Sequence, residues 1–534
     1  MIRRFAPFII LALVPALLFF QAVHFEFLAL DDELLILDNT KVHGVSMDHL
    51  KEIFSTYDPE LYVPLTLLTY QIEWSLFGGA NAAVVHATNL MLHILNVLLV
   101  YLILTRLMSR RAAFLCALLF AVHPLQVESI AWASARKDLL SGFFFLGSVY
   151  QYLRYRDQGQ GYWTSVALFL MGLLSKVSIF PLPLLLLLLD WQRGERIDAD
   201  RMREKIPYAV LAILFLIVAV LGKATQTGNL LIPIMLSPVS FFHYVQKFLV
   251  PLHLSIFYPF TDVVRMANSL LILGFIVAIL IAAGTWWSLC FTRQVAFGVL
   301  WFFVLLAPSF LNMLKGGMDG TFDVYIASDR YAYLAIIGLI FLLGWALRHR
   351  IIFLLIPVII CFGFLSFFQM RTWRNSETLF AQAIAAGEAS HVAYNNLAGL
   401  RAQNGEYPEA ITLYEQSIAI KKNSRALYNL AQLYERERDF SKAIATLEDL
   451  VAWKPEHAQG HALLGHIYLD RGNGQSAYVH LIEANRLDPH LFQAHKDLGL
   501  LYQALGKVDL ARKEFEQALR LNPKDAEVQK KLKQ

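Results

Sequence analysis

The sequence predicts an all-α protein in two parts: a polytopic membrane bundle of about eleven spans, followed by a helical solenoid. Three observations lead there. Of 534 residues, 57% are hydrophobic, and mean hydropathy is +0.48, far above a soluble average. The apolar residues form runs of bilayer length up to about Arg371 and then stop. After Asn375 the chain becomes an ordinary polar sequence with a repeat. The expected division is therefore a membrane domain over 1–374 and a solenoid over 375–534.

Spans are expected near 5–23, 84–107, 112–126, 138–154, 163–175, 177–191, 207–222, 269–290, 295–313, 331–347 and 350–370. The first starts with Arg3 and Arg4 like a signal peptide, but no clean small-x-small site follows, so a retained span is expected. Cations orient the bundle. Arg106, Arg110, Arg111, Arg154, Arg156, the 193–205 cluster, Arg293, Arg348 and Arg350 fall on one set of loops, expected to be cytoplasmic. Residues 238–258 are apolar but carry His243, Lys247, Pro251 and His253, so a helix at the outer interface is expected there. The net charge is only +4, spread in short clusters between spans, which argues for topology rather than nucleic-acid binding. Cys116, Cys290 and Cys361 all sit in apolar runs and offer neither a disulfide framework nor metal spacing.

Beyond residue 378 a period emerges. Leu397, Leu430, Leu464 and Leu498 are spaced 33, 34 and 34 residues apart, and Ala410, Ala443, Ala477 and Ala511 repeat those spacings. Pro455, Pro489 and Pro523 follow at the same interval. Small residues at one position with an aromatic or leucine four later let paired helices pack closely. That is the tetratricopeptide signature. Four full repeats are expected, after a leading half-repeat over 378–389 and before a charged cap from Asp525.

The loops opposite the basic set hold the chemistry. Two adjacent carboxylates, Asp31 and Asp32, follow the first span among leucines, where unpaired charge is costly. Loops further on carry His123, Glu128, Trp132 and Arg136-Lys137-Asp138, then Lys176, then Asp319, Asp323, Asp329 and Arg330. A carboxylate at a membrane surface can act as general base on an acceptor hydroxyl. Cations beside it can stabilise a departing lipid phosphate. No His/Cys/Asp cluster compels a metal, although a divalent ion could serve the same end.

The stretches FLALDDELLILDNTKV, YVPLTLLTYQIEWSLFGG, HPLQVESIAWASARKDLLSGFFFL and ASDRYAYLAIIGL resemble successive motifs of bacterial relatives of the transmembrane-and-TPR (TMTC-type) proteins. Those are GT-C class membrane glycosyltransferases related to protein O-mannosyltransferases. The resemblance implies a polyprenyl-phosphate sugar donor (mannose or another hexose), a protein hydroxyl acceptor recruited by the repeats, and no nucleic acid. With the cation-rich loops in the cytoplasm, a multi-pass protein of the bacterial inner membrane with its repeats in the periplasm is expected. The resemblance also places the catalytic carboxylate at Asp32 or Asp31.

Other assignments stand beside structural alternatives. Arg136, Arg330, Lys137 and Lys176 are expected donor-phosphate contacts, or else snorkelling or paired structural charges. His123 and Glu128 are expected to orient substrate, although His123-Pro124 could equally terminate a helix. Asn396 and Asn429 occupy equivalent repeat positions that would suit an acceptor peptide backbone or mere packing; Leu463 and Asp497 break that series. Against the glycosyltransferase reading stands a non-enzymatic membrane-anchored scaffold, which leaves the clustered carboxylates and cations unexplained. A transporter would place its ionisable groups at mid-membrane rather than at span ends.

Overall fold

The computed structural model describes residues 2–58, 61–222, 231–260, 269–314, 324–387 and 390–532. Two compact units emerge, Met1–Glu388 and Ala389–Gln534. Each expected span lies on a helix: Ile2–Phe19, Ala82–Leu107, Arg110–Val122, Arg136–Gln158, Tyr162–Ser175, Leu182–Gln192, Ala199–Gly222, Ser269–Ser288, Gln294–Phe310, Ile336–Ala346 and Leu355–Arg371. Among the described residues, six helices are long and apolar enough to cross a membrane. The count is seven if the bent pair Arg110–Val122 and Pro124–Ala131 is one span. Tyr162–Ser175, Val177–Gln192 and Ile336–Ala346 are apolar but shorter. Length and composition thus support fewer spans than the eleven expected.

Helix Ala82–Leu107 is central to the first unit and packs against Ile2–Phe19, Arg110–Val122 and Arg136–Gln158. It is stitched in by polar groups as well as leucines. His93 Nδ1 lies 3.0 Å from the Tyr333 hydroxyl, and Asn96 Nδ2 donates to Leu139 O at 3.0 Å. In apolar surroundings such bonds fix register, because the alternative is an unpaired polar group. Close backbone contact holds the later helices: a Cβ on Gly338 would meet Gly298 O at 2.4 Å. Only glycine fits there.

Helix Arg136–Gln158 orients the unit. Lys137 and Arg156 lie near its opposite ends, roughly 30 Å apart at 1.5 Å per residue. At the Arg156 end cations from four of the basic loops gather. Arg106 and Arg193 pair with Asp157, Arg156 pairs with Glu195, and Arg293 Nη1 donates to Trp191 O at 3.0 Å. Lys205 there reaches buried Asp190 at 2.7 Å, with the Tyr152 hydroxyl on the same carboxylate.

The ambiguous 238–258 stretch is helical only through Leu231–Leu249. It ends before Pro251, and Lys247 Nζ caps the turn on Leu252 O (2.8 Å) and His253 O (3.1 Å). Strand Tyr258–Phe260 follows and pairs antiparallel with Val324–Ala327, Tyr258 opposite Ala327. This ribbon sets the 328–331 segment against the bundle. Asp319 and Asp323 lie outside the described residues.

The compact-unit boundary falls later than the expected 374/375. Helix Ser376–Ala385, begun by a capping box at Asn375, remains with the first unit. Ala29 N donates to Ser376 Oγ at 2.8 Å, and Glu26 N to Arg374 O at 3.1 Å. The leading half-repeat is thereby tied to the first loop.

In the second unit the period becomes four helix pairs: His391–Gln403 with Tyr407–Ile420, Ser424–Arg436 with Phe440–Trp453, Ala458–Asp470 with Gly474–Leu487, and Phe492–Ala504 with Val508–Leu521. Ala526–Leu532 caps the last. Ala410, Ala443, Ala477 and Ala511 are buried between partners, as the small-residue pattern requires.

Candidate functional site

Residues from four separated stretches meet beyond the first span: 31–32, 128–138, 176 and 328–331. Asp32 is wholly buried. Its Oδ2 accepts from Leu28 N and its Oδ1 from Ser134 N, each at 2.9 Å. The carboxylate therefore staples the first loop to the second. Burial pushes its pKa up to about 6, against the lowering effect of those two bonds. Asp31, one residue earlier, points elsewhere. Its side chain is 46% exposed and meets Lys137 Nζ at 3.1 Å. Of the pair expected to include the base, Asp31 is the one an incoming hydroxyl can reach.

The Arg136-Lys137-Asp138 run opens a helix, so successive side chains leave about 100° apart and go to different partners. Lys137 takes Asp31. Asp138 pairs with Lys176, whose ammonium also lies 5.3 Å from the Tyr331 ring centre. Arg136 turns inward. It is fully buried over the Tyr70 ring at 4.5 Å, donating to Asn89 Oδ1 (3.0 Å), Thr69 Oγ1 (3.2 Å) and Val85 O (2.9 Å). Glu73 neutralises it at 2.8 Å. A guanidinium committed in this way is a brace between helices, so the expected phosphate contact at Arg136 is not supported.

Glu128 and His123, expected to work together, are separated. Glu128 accepts from Ser328 Oγ (2.9 Å) and Arg330 N (3.2 Å), and ion-pairs with the Arg330 guanidinium. His123 is buried: its Nδ1 accepts from Leu125 N at 3.2 Å, and its Nε2 reaches Phe248 O at 3.1 Å. The ring is stacked on Phe248 and edge-on to Phe362. His123 caps the turn at Pro124, which is the structural alternative, and its expected substrate role is not supported.

Three cations, Lys137, Lys176 and Arg330, thus stand each with its own carboxylate, and Trp132 and Tyr331 link them. Arg330 lies 4.8 Å from both ring centres and Lys137 is 5.6 Å from that of Trp132. Beneath, Tyr258 donates to Asp329 Oδ1 at 3.0 Å; burial first, then the charge of Glu128, hold this carboxyl well above its ordinary range. Asp138, Ser328 and Tyr258 were missed as site residues. Asp138 could have been found in its charged run, but nothing local marks Tyr258.

In the second unit Asn429 Nδ2 donates to the Tyr414 hydroxyl at 3.1 Å, and Asn396 is half-buried. Asp497, at the equivalent position, takes Gln493 and His466 at 3.0 Å each. Packing accounts for Asn429. Among the described residues no group of three or more His, Cys, Asp or Glu is placed to hold a metal ion.

Fold and sequence together define a multi-pass membrane protein with C-terminal tetratricopeptide repeats. Residues 62–222 match the family described as dolichyl-phosphate-mannose-protein mannosyltransferase, and 364–425, 401–467 and 492–525 match tetratricopeptide repeat families. The human protein O-mannosyl-transferase TMTC4 is 35% identical over 130 residues, covering 20% of this chain and 18% of that protein. Human TMTC1 is 38% identical over 100 residues, covering 18% and 11%. Drosophila melanogaster Tmtc2 is 30% identical over 161 residues, covering 28% and 17%. The chain is similar to these TMTC-type proteins over matches that span less than a fifth of their length. Among solved structures, YrrB, a TPR protein, has 16% identity and TM-score 0.27, covering 30% of this chain and 82% of that one. MamA has 21% identity and TM-score 0.26, covering 28% and 90%.

Proposed function

We propose that this protein is a membrane glycosyltransferase of the GT-C type. It would transfer mannose or another hexose from a polyprenyl-phosphate donor to hydroxyl groups of a protein recruited by the repeats. One observation carries the reading: an accessible carboxylate, Asp31, stands among three cations at one end of the membrane domain, Lys137, Lys176 and Arg330. In the transfer, Asp31 takes the proton of the acceptor hydroxyl while that oxygen bonds the sugar's anomeric carbon. The carbon–oxygen bond to phosphate breaks, and its electron pair leaves on the lipid phosphate. Lys137, Lys176 and Arg330 stabilise the charge that develops there. The site would face the periplasm of a bacterial inner membrane, with the repeats on the same side.

The test is mass spectrometry of periplasmic and surface glycoproteins from cells with and without this protein. Loss of hexose from Ser or Thr peptides on deletion is expected. An unchanged glycoproteome alongside a folded, expressed protein would overturn the reading.

A further inference from the structure

Trp132 is a large buried aromatic whose indole N–H, only 4% of the residue being exposed, has no hydrogen-bond partner among the described residues. Buried indole N–H groups ordinarily find an acceptor. The main chain there is firmly placed. Trp132 N donates to Glu128 O at 3.1 Å, and Asn89 Nδ2 donates to Trp132 O at 3.1 Å. Trp373 packs beside the ring at 6.1 Å between centres. The unpaired donor is therefore held in position by its surroundings. Two cations lie over the same ring, Arg330 at 4.8 Å and Lys137 at 5.6 Å. The Arg330 Nε–H is likewise buried and unpartnered among the described residues. Two unmet donors, beside two cations each paired with a single carboxylate, suit an acceptor with more than one oxygen that can share both cations, such as a phosphate.

We infer that Trp132 is a binding residue for the lipid-linked donor, its indole N–H donating to a phosphate oxygen that Arg330 Nε–H and Lys137 also approach. This rests on the glycosyltransferase reading and adds a residue to it. Before the donor arrives the N–H is a buried donor without an acceptor among the described residues, which destabilises the free protein. Trp132→Phe keeps an aromatic plate beneath the cations and removes that N–H. Its effect on the free and the bound protein should therefore have opposite signs.

The experiment measures binding of prenyl phosphate and of prenyl-phosphate mannose to the purified full chain in lipid, with melting of the lipid-donor-free protein followed in parallel. Trp132→Phe is expected to weaken both ligands by roughly 10-fold or more, the scale of a hydrogen bond to a charged group. Melting without donor should be unchanged or higher. Trp132→His, which restores a ring N–H, should recover part of the affinity. Wild-type affinity for both ligands in Trp132→Phe would overturn this inference alone. So would a lower melting temperature with undiminished affinity, since the N–H would then serve the free fold. Weakening confined to the mannose-bearing lipid would move the N–H to a sugar hydroxyl and overturn the phosphate assignment. Failure of the wild type to bind either lipid would remove the glycosyltransferase reading itself.

Discussion

Replacing Asp32 by asparagine separates a structural carboxylate from a catalytic one. Burial raises the pKa of Asp32 from the ordinary 3.8 to about 6, which corresponds to about 3 kcal/mol. The sign follows from linkage. Because the folded-state value is the higher, the native protein binds more protons than the unfolded chain between those pH values, so this group's contribution falls as pH rises through the window. It is fully favourable below pH 4 and lost above pH 6. Asparagine cannot ionise, but it offers one oxygen to the two backbone donors, Leu28 N and Ser134 N, at a cost of about 1–3 kcal/mol. That cost is nearly independent of pH, whereas the ionisation term is not. The difference in unfolding free energy between Asp32→Asn and wild type should therefore move by about 3 kcal/mol in the variant's favour from pH 4 to pH 7. Detergent-driven unfolding of the purified full chain at a series of pH values measures it, and groups titrating in both proteins cancel. Parallel curves for the two proteins would show that Asp32 does not titrate differently in the folded and unfolded states.

Other consequences are simpler. Arg136→Gln should destabilise the membrane domain by about 3–5 kcal/mol, because it strands the Glu73 carboxylate that the buried guanidinium now neutralises, and thermal unfolding reads this directly. Donor affinity measured on whatever folded fraction remains should be near wild type. Deleting residues 391–534 should leave a folded membrane domain that still binds prenyl-phosphate sugar but transfers poorly to protein, since repeats contact mainly their neighbours. Equal loss of binding and transfer would count against acceptor recruitment. A reporter active only in the periplasm and fused after Gln534 should be active; activity of a cytoplasm-only reporter would reverse the proposed placement of the repeats.

Much of the architecture was legible because it is written in local periodicity. Apolar runs became helices, and the 34-residue interval became helix pairs with Ala443 and Ala477 at their contacts. The region of the site was legible too, since carboxylates among leucines are costly wherever they occur. The partners were not. Arg330 finds Glu128 from 202 residues away, and Tyr258 reaches Asp329 only because a two-stranded ribbon brings them together. Arg136, Lys137 and Asp138 are consecutive, yet the helical turn sends one to a brace, one to Asp31 and one to Lys176. Of Asp31 and Asp32 the sequence favoured Asp32 by a narrow margin, and burial reverses that order. Adjacent positions share composition; they do not share direction.

In the proposed transfer Asp31 is the general base and Asp32 only positions it. This assignment is tested most directly by turnover of Asp31→Asn and Asp32→Asn, purified in lipid with a polyprenyl-phosphate sugar and a native protein acceptor at saturating donor. General base catalysis contributes about 10²–10⁴-fold, so Asp31→Asn should lose turnover by roughly that factor while retaining donor binding. Asp32→Asn should lose less turnover than Asp31→Asn, because it displaces the neighbouring carboxylate without removing the proton acceptor. Full turnover in Asp31→Asn, with the large loss falling on a folded Asp32→Asn, would contradict the account.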